Sequence, residues 1–179
     1  MDEIEALYQR YSDRIYNMLL RMLGNEEDAL DVAQETFLRA HKSIGSFRGS
    51  SSEYTWLFRI ALNCAYSHLK GQKRRQLARL DSGSDDTEES FSDTVDNGSP
   101  DAHSTLVKSE TESVVQSAIL KLPDELRSAI VMRDIEELSY EEIAEIEGCP
   151  EGTVKSRVHR AREMLKGMLR TVLGFEKKI

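Results

Sequence analysis

Between Val154 and Leu165, four side chains able to bond to nucleic acid recur three and four residues apart: Lys155, Ser156, His159 and Arg160. Lys and Arg donate to guanine edges, and Ser bonds to a base or to a phosphate. Val154, Val158, Ala161 and Leu165 interleave with them at helical spacing, so the pattern predicts one helix with a buried apolar stripe and an exposed basic face. Arg157 and Arg162 flank that face, within reach of phosphates.

A second helix must hold this one in place, and its ends are legible. Ser139 followed by Glu142 is a capping box that starts a helix. Ile143, Ala144 and Ile146 supply its apolar side, and Ala144 is small enough for another helix to cross closely. Gly148 suits the turn because it takes positive φ without a Cβ clash, and Pro150 suits the first position of the following helix. Together these features predict a helix-turn-helix over residues 140–159 with its second helix aimed at a DNA major groove. A solvated basic helix on an ordinary bundle would share the charge but not the capping box, small residue and turn glycine.

Bulk charge gives no hint of this. The chain has 179 residues and a net charge of −8. The acidity is concentrated: residues 81–113 carry one basic and ten acidic side chains, while residues 1–80 carry 12 basic and 10 acidic ones. The stretch from Asp81 to Asp101 is Ser/Asp-rich and poor in apolar groups, so it cannot bury enough surface to offset its ordering entropy. It reads as a flexible acidic linker, or as a strand that imitates the charge of nucleic acid.

Helical spacing also runs through the N-terminal part. Ile4, Leu7, Tyr8, Tyr11, Ile15, Met18, Leu19 and Met22 mark one stripe, closed by Gly24. Asn25 caps a second helix expected to bury Leu30, Ala33, Phe37, Ala40 and Ile44 and to expose Asp31, Gln34, Glu35, Arg39 and Lys42. After a Gly/Ser-rich loop, a third helix from about Glu53 to Lys70 turns Trp56, Leu57, Ile60 and Ala61 inward and ends in Lys70, Lys73, Arg74 and Arg75. Beyond the linker, Val115, Ala118, Ile119 and Leu122 stripe a helix that Pro123 breaks, and another runs from Asp124 to about Glu137. No segment alternates as a strand would, so the class is all-α.

Other chemistry finds little support. Cys64 and His68 lie four apart but lack a third partner, so Cys64 is expected to be a buried structural cysteine and no metal site is expected. There is no Gly-rich phosphate loop, HExxH or nucleophile elbow, so neither an enzyme nor a cofactor is expected. No apolar run is long enough to span a bilayer and no signal peptide opens the chain, which predicts a cytoplasmic protein without direct membrane insertion.

Six separated segments then match one family, in order: Asp31-Val-Ala-Gln-Glu-Thr-Phe37, Ser46-Phe-Arg-Gly49, Tyr54-Thr-Trp-Leu-Phe-Arg-Ile-Ala-Leu-Asn63, Leu122-Pro-Asp-Glu-Leu-Arg127, Leu138-Ser-Tyr-Glu-Glu-Ile-Ala144 and Gly152-Thr-Val-Lys-Ser-Arg157. They resemble the extracytoplasmic-function (ECF) sigma factors of bacterial RNA polymerase, most of all the envelope-stress type. The resemblance implies two helical domains: a sigma region 2 bundle over residues 1–80 and a sigma region 4 helix-turn-helix over 109–179, joined by a flexible acidic linker over 81–108. It implies a subunit that binds core RNA polymerase and directs promoter-specific initiation, in a stress response.

The family's roles carry over residue by residue. Asp31, Gln34, Glu35, Leu38 and Lys42, in a motif over 31–44, would dock on the clamp helices of the β′ subunit. Ser46, Phe47 and Arg48 would capture a flipped −10 base, with Phe47 stacking on it or lining its pocket. Asn63 would bond to base edges freed by melting, and Arg59, Lys70, Lys73, Arg74 and Arg75 would hold phosphates. Gly152, Thr153, Lys155, Ser156, Arg157, His159 and Arg160 would read a duplex −35 element of the GGAAC kind. Further implied partners are the β flap, promoter DNA and a cognate, membrane-associated anti-sigma factor that covers both DNA-reading faces. The linker would thread toward the polymerase cleft, later displaced by RNA. Glu147 stands where the family commonly has an apolar residue, which predicts a more exposed end to the first helix of the helix-turn-helix. The competing reading is a stand-alone dimeric regulator using the same helix-turn-helix, for which the Gln34-Glu35 face and the Trp56 helix would be superfluous.

Overall fold

The computed structural model describes residues 3–47, 49, 51–81 and 102–172. Arg48 and most of the acidic linker, residues 82–101, lie outside them, and for Ser46 only the backbone is described. The described residues are helical, with no strand: α1 Glu3–Leu23, α2 Glu26–Ser43, a 3-10 turn Ile44–Ser46, α3 Glu53–Asp81, α4 Ala102–Leu120, α5 Asp124–Ile130, α6 Tyr140–Glu147 and α7 Glu151–Val172. Two spans differ from the sequence expectation. α3 runs eleven residues beyond Lys70, and α4 begins at Ala102, ahead of the expected domain start at 109. The helix after Pro123 loosens into a π turn over Val131–Ile135, capped at Glu136, and Glu137 just beyond it adopts φ +58°.

α1, α2 and α3 pack on one another as a three-helix bundle, and α4, α5 and α6 pack around α7. In α1 the stripe holds: Leu7, Ile15, Met18, Leu19 and Met22 are buried. Tyr8 is not; it is 54% exposed and meets Phe37 edge-on at 4.9 Å between centroids. In α2 the buried positions are Ala29, Val32, Thr36 and Ala40, whereas Leu30, expected inside, is 51% exposed. The inward face is therefore rotated by about one residue. Small residues let α1 and α3 approach α2, and Thr36 is buried without penalty because its hydroxyl donates to Val32 O at 2.7 Å. In α3, Leu57 and Ala61 are buried as expected, joined by Phe58, Tyr54 and Leu62.

The two halves close on each other. α3 packs against α6, and α1 touches α4, α5 and the π turn. The apolar core is continuous from Ile15 and Met22 through Ile119 and Met132 to Val154 and Ala161. At Gly24, where φ is +74°, a Cβ would collide with the Leu120 side chain, so the end of α1 and the end of α4 meet closely.

Gly148 ends α6 in the left-handed conformation at φ +64° with open space around it. Gly148→Ala is therefore expected to destabilise by about 1 kcal/mol through backbone strain alone. That is about 2–4 °C in a thermal melt, with Gly148→Asn costing less. An unshifted Gly148→Ala melt would contradict a strained turn.

Candidate nucleic-acid interface

The helix-turn-helix is built from its caps inward. Ser139 Oγ accepts from Glu142 N at 3.1 Å, and Glu142 Oε2 accepts from Ser139 N at 2.8 Å, so the capping box is complete. Ile143 and Ile146 face the core, and Cys149 N donates to Ala144 O across the turn at 3.1 Å. Pro150 stands just before α7, one position earlier than expected, and its carbonyl accepts from Thr153 N at 2.8 Å.

Val154, Val158 and Ala161 are fully buried, which fixes the rotation of α7. The opposite side presents Lys155, Ser156, His159 and Arg160, all exposed, with Gly152 exposed and Thr153 partly so at its N-terminal end. Lys155 pairs with Glu151 at 2.6 Å and lies 5.5 Å from the Tyr140 ring centroid. Arg160 Nη2 donates to Ser156 Oγ at 3.1 Å, which aligns the two along one line of the helix.

Arg157 departs from this face. Its side chain is only 18% exposed, and it donates to Glu147 Oε2 at 2.5 Å and Glu125 Oε2 at 2.7 Å. The expectation that Glu147 leaves the end of α6 exposed is also corrected, because the Glu147 side chain is 2% exposed. Its other oxygen accepts from Ser128 Oγ at 2.6 Å, and Ser128 Oγ accepts from Tyr66 OH at 2.7 Å. A polar chain thus runs from α3 through α5 and α6 to α7, and a carboxylate with strong donors is buried there at acceptable cost. Burial pushes the Tyr66 phenol up to about 12, so it stays a donor. Arg162 is likewise tied, donating to Asp134 Oδ1 at 2.5 Å and Oδ2 at 3.0 Å.

In the N-terminal half, Phe47 is half-buried against Trp56, ring centroids 5.1 Å apart, beside exposed Gly49. Asn63, Lys70, Lys73 and Arg74 are exposed along α3, and Arg75 follows them. Two of the expected phosphate holders meet the other half instead. Arg59 Nη2 donates to Glu145 O at 2.6 Å, and Lys73 Nζ to Asp124 Oδ2 at 2.6 Å.

On α2, Asp31, Gln34, Glu35, Leu38 and Lys42 are all exposed, and Glu35 pairs with Arg39 at 2.6 Å. Leu38 is 57% exposed and Leu30 51%, so the face mixes charge with unburied leucines. The sequence reading placed Leu30 and Tyr8 inside. Ala40 is buried as expected; the signal passed over is the Ala29-Val32-Thr36 series that joins it, which leaves positions 30 and 38 facing out.

Cys64 is buried, and burial raises its thiol pKa, as befits a structural cysteine. His68 Nε2 lies 3.1 Å from Asp28 Oδ1, off the line of a hydrogen bond. Among the described residues no His, Cys, Asp and Glu group is arranged to hold a metal, and no helix is long and apolar enough to cross a membrane.

The family model "Sigma-70 region 2" matches residues 7–75, and "Sigma-70, region 4" matches residues 113–165. The ECF RNA polymerase sigma-E factor of Haemophilus influenzae is 41% identical over 93% of this chain and 87% of its own length. The ECF sigma factor SigW of Bacillus subtilis is 40% identical over 94% of this chain and 90% of its own. Among solved structures, the sigma factor RpoE in complex with the anti-sigma factor NepR from Bartonella quintana superposes with a TM-score of 0.73 at 26% identity, covering 95% of this chain and 98% of that one. With matching models on both halves and relatives aligned through nearly the whole length, the chain belongs to the ECF sigma factors of the sigma-70 family, non-enzymatic subunits that direct RNA polymerase to promoters.

Proposed function

We propose that the exposed side of α7 reads the −35 element as duplex DNA and that α3 with the Phe47 loop reads and melts the −10 element. The observation that carries this is the fixed rotation of α7: Val154, Val158 and Ala161 lock one side, so Lys155, Ser156, His159 and Arg160 project together from the other. A single helix with several hydrogen-bonding side chains fits the width of a major groove. Phe47, Asn63, Lys70 and Arg74 combine an aromatic, an amide and cations, the chemistry that takes unpaired bases beside a phosphate backbone. Residues 1–80 then act as region 2, 109–179 as region 4, and 81–108 as the connection between them.

Run-off transcription with core polymerase over a promoter library tests this directly. Selective initiation on templates sharing two elements is expected, with loss when either is scrambled. Initiation indifferent to the −35 sequence would remove α7 from recognition.

The α2 face is the proposed docking surface for the polymerase clamp. Gln34→Ala with Glu35→Ala is expected to weaken binding to core polymerase by about three- to tenfold, since exposed polar contacts are individually modest. Titration of labelled core enzyme checks it, and an unchanged affinity would move the docking site off these residues. The place of action is the cytoplasm, where the polymerase is. The Bartonella quintana relative was solved with an anti-sigma factor; a cognate inhibitor of membrane-associated kind is the corresponding regulator here, covering both DNA-reading faces.

A further inference from the structure

α7 needs its rotation set to within a few degrees if it is to read bases. A helix carries its side chains about 5–6 Å from its axis, so a turn of about 10° moves a side-chain tip by about 1 Å. That exceeds the spread of about 0.5 Å that hydrogen-bond lengths allow. The buried side of α7 is formed by Val154, Val158 and Ala161. Hydrophobic burial is non-directional, so it decides which side faces inward better than it decides the last few degrees.

A directional tie is buried beside that stripe. Arg157 Nη1 donates to Glu147 Oε2 and its Nη2 to Glu125 Oε2, so one planar fork reaches from α7 to the last residue of α6 and to α5. Glu147 is held from a second side, because Ser128 Oγ on α5 donates to its Oε1. The side chains of Glu147 and Arg157 are 2% and 18% exposed. Apolar groups of similar volume in place of such a buried pair are often neutral or stabilising, so stability alone does not account for its charge. What apolar groups cannot supply is a fixed angle between donor and acceptor.

We propose that Glu147 is a positioning residue for −35 recognition: through Arg157 it fixes the rotation of α7, and with it the aim of Lys155, Ser156 and Arg160 at the bases. This rests on the proposed reading of the −35 element by α7. Arg157 adjoins Ser156 in the chain and Arg160 follows within one helical turn, so a shift of the fork passes to both through rigid backbone. The pair is too enclosed for salt to screen it strongly, unlike a contact to phosphate.

The test uses the full chain with core polymerase, in run-off transcription on the strongest template of the promoter library and on the same template with each −35 position substituted. The quantity read is the ratio of strong to substituted template, which does not change when a variant merely has fewer folded molecules. The variant is Glu147→Met with Arg157→Met, because truncating either partner alone strands a buried charge and reports stability instead. Wild-type discrimination of about 5- to 150-fold per read position is expected to shrink by about three- to tenfold in the double variant, at more than one position and at every salt concentration. Its melting temperature is expected to stay near that of the wild type. Should circular dichroism show the double variant unfolded, Glu147→Gln is read in the same way. It keeps the volume and an acceptor but not the charge, and a loss of about twofold is expected. Discrimination equal to the wild type's in a folded variant overturns the proposal. A uniform loss on every template with a weaker salt dependence also overturns it, and makes Arg157 a phosphate contact. A wild type indifferent to the −35 sequence removes the reading by α7 itself, and the positioning role with it.

Discussion

Arg127→Ala is expected to destabilise the chain by about 3 kcal/mol and to lower its melting temperature by about 6–12 °C. Arg127 lies within α5, which follows Pro123, with a side chain only 9% exposed. Its Nη1 donates to Met22 O at 2.7 Å, and its Nη2 donates to Leu120 O at 2.5 Å and Leu122 O at 3.0 Å. Met22 lies in the last turn of α1 and Leu120 closes α4, and the last carbonyls of a helix have no partner within it. One guanidinium therefore caps two helices from different halves, at their negative dipole ends. Burial lowers its pKa, yet a guanidinium remains charged at any working pH. Truncation leaves three carbonyls unpaired where water has poor access, which costs more than the lost bonds alone. Arg127→Lys keeps the charge but not the fork, and an intermediate loss is expected. Arg127→Met fills similar volume without a donor. Equilibrium denaturation of the three variants checks the argument: if Met restores wild-type stability, packing rather than carbonyl capping holds this joint.

Arg127 also shows where sequence reading stops. As a letter it belonged to the segment Leu122-Pro-Asp-Glu-Leu-Arg127, with nothing to mark it as buried or as a bridge to α1. What was legible is what local rules determine. Ser139 and Glu142 form their capping box, Gly148 takes its left-handed turn, and the α7 stripe is buried, because each depends on neighbours within four residues. The helix before them was read less well. In α2 Leu30 looked like core but faces out; Phe37 and Ala33 are only partly buried against the core, and Ala29, Val32 and Thr36 join the expected Ala40 as the buried positions. Which stripe wins depends on how closely α1 and α3 approach, and no periodicity within α2 contains that information. Glu147 is the sharpest case. A charge at the end of an amphipathic helix reads as solvent-facing, yet Ser128, Tyr66 and Arg157 converge to bury it, from positions 19 residues behind, 81 behind and 10 ahead.

The same network divides the basic residues of α7 into two kinds. Arg157 answers to Glu147 and Glu125, so its guanidinium is committed to holding α7 against α5 and α6. Exposed Lys155 and Arg160 pair along the helix with Glu151 and Ser156, and Lys155 also lies near the Tyr140 ring, exposed contacts that a DNA groove can replace. The family resemblance alone treated Arg157 and Arg160 alike. The difference is expected to appear as a loss of stability for Arg157→Ala and a loss of recognition for Arg160→Ala.

Arg160→Ala is expected to lower transcription from a cognate promoter by about 5- to 150-fold, the cost of one good bidentate base contact. Arg160 projects from the exposed side of α7 one turn beyond Ser156, and among the described residues its bond to Ser156 Oγ leaves most of its donors unused. A guanidinium so placed matches guanine O6 and N7 in a way that an ammonium cannot, so Arg160→Lys is expected to recover little of the discrimination while keeping the charge. Run-off transcription on templates with each −35 position substituted in turn decides the role. For a base contact, the wild type is sensitive at one position and Arg160→Ala is indifferent there, while the other positions keep their effect. A uniform loss on every template, with a smaller dependence on salt, would make Arg160 a phosphate contact instead. The melting temperature of Arg160→Ala is expected to stay close to wild type, because its side chain is exposed and its hydrogen bond is to Ser156 within α7. A large drop would mean that the transcription defect reports folding rather than reading.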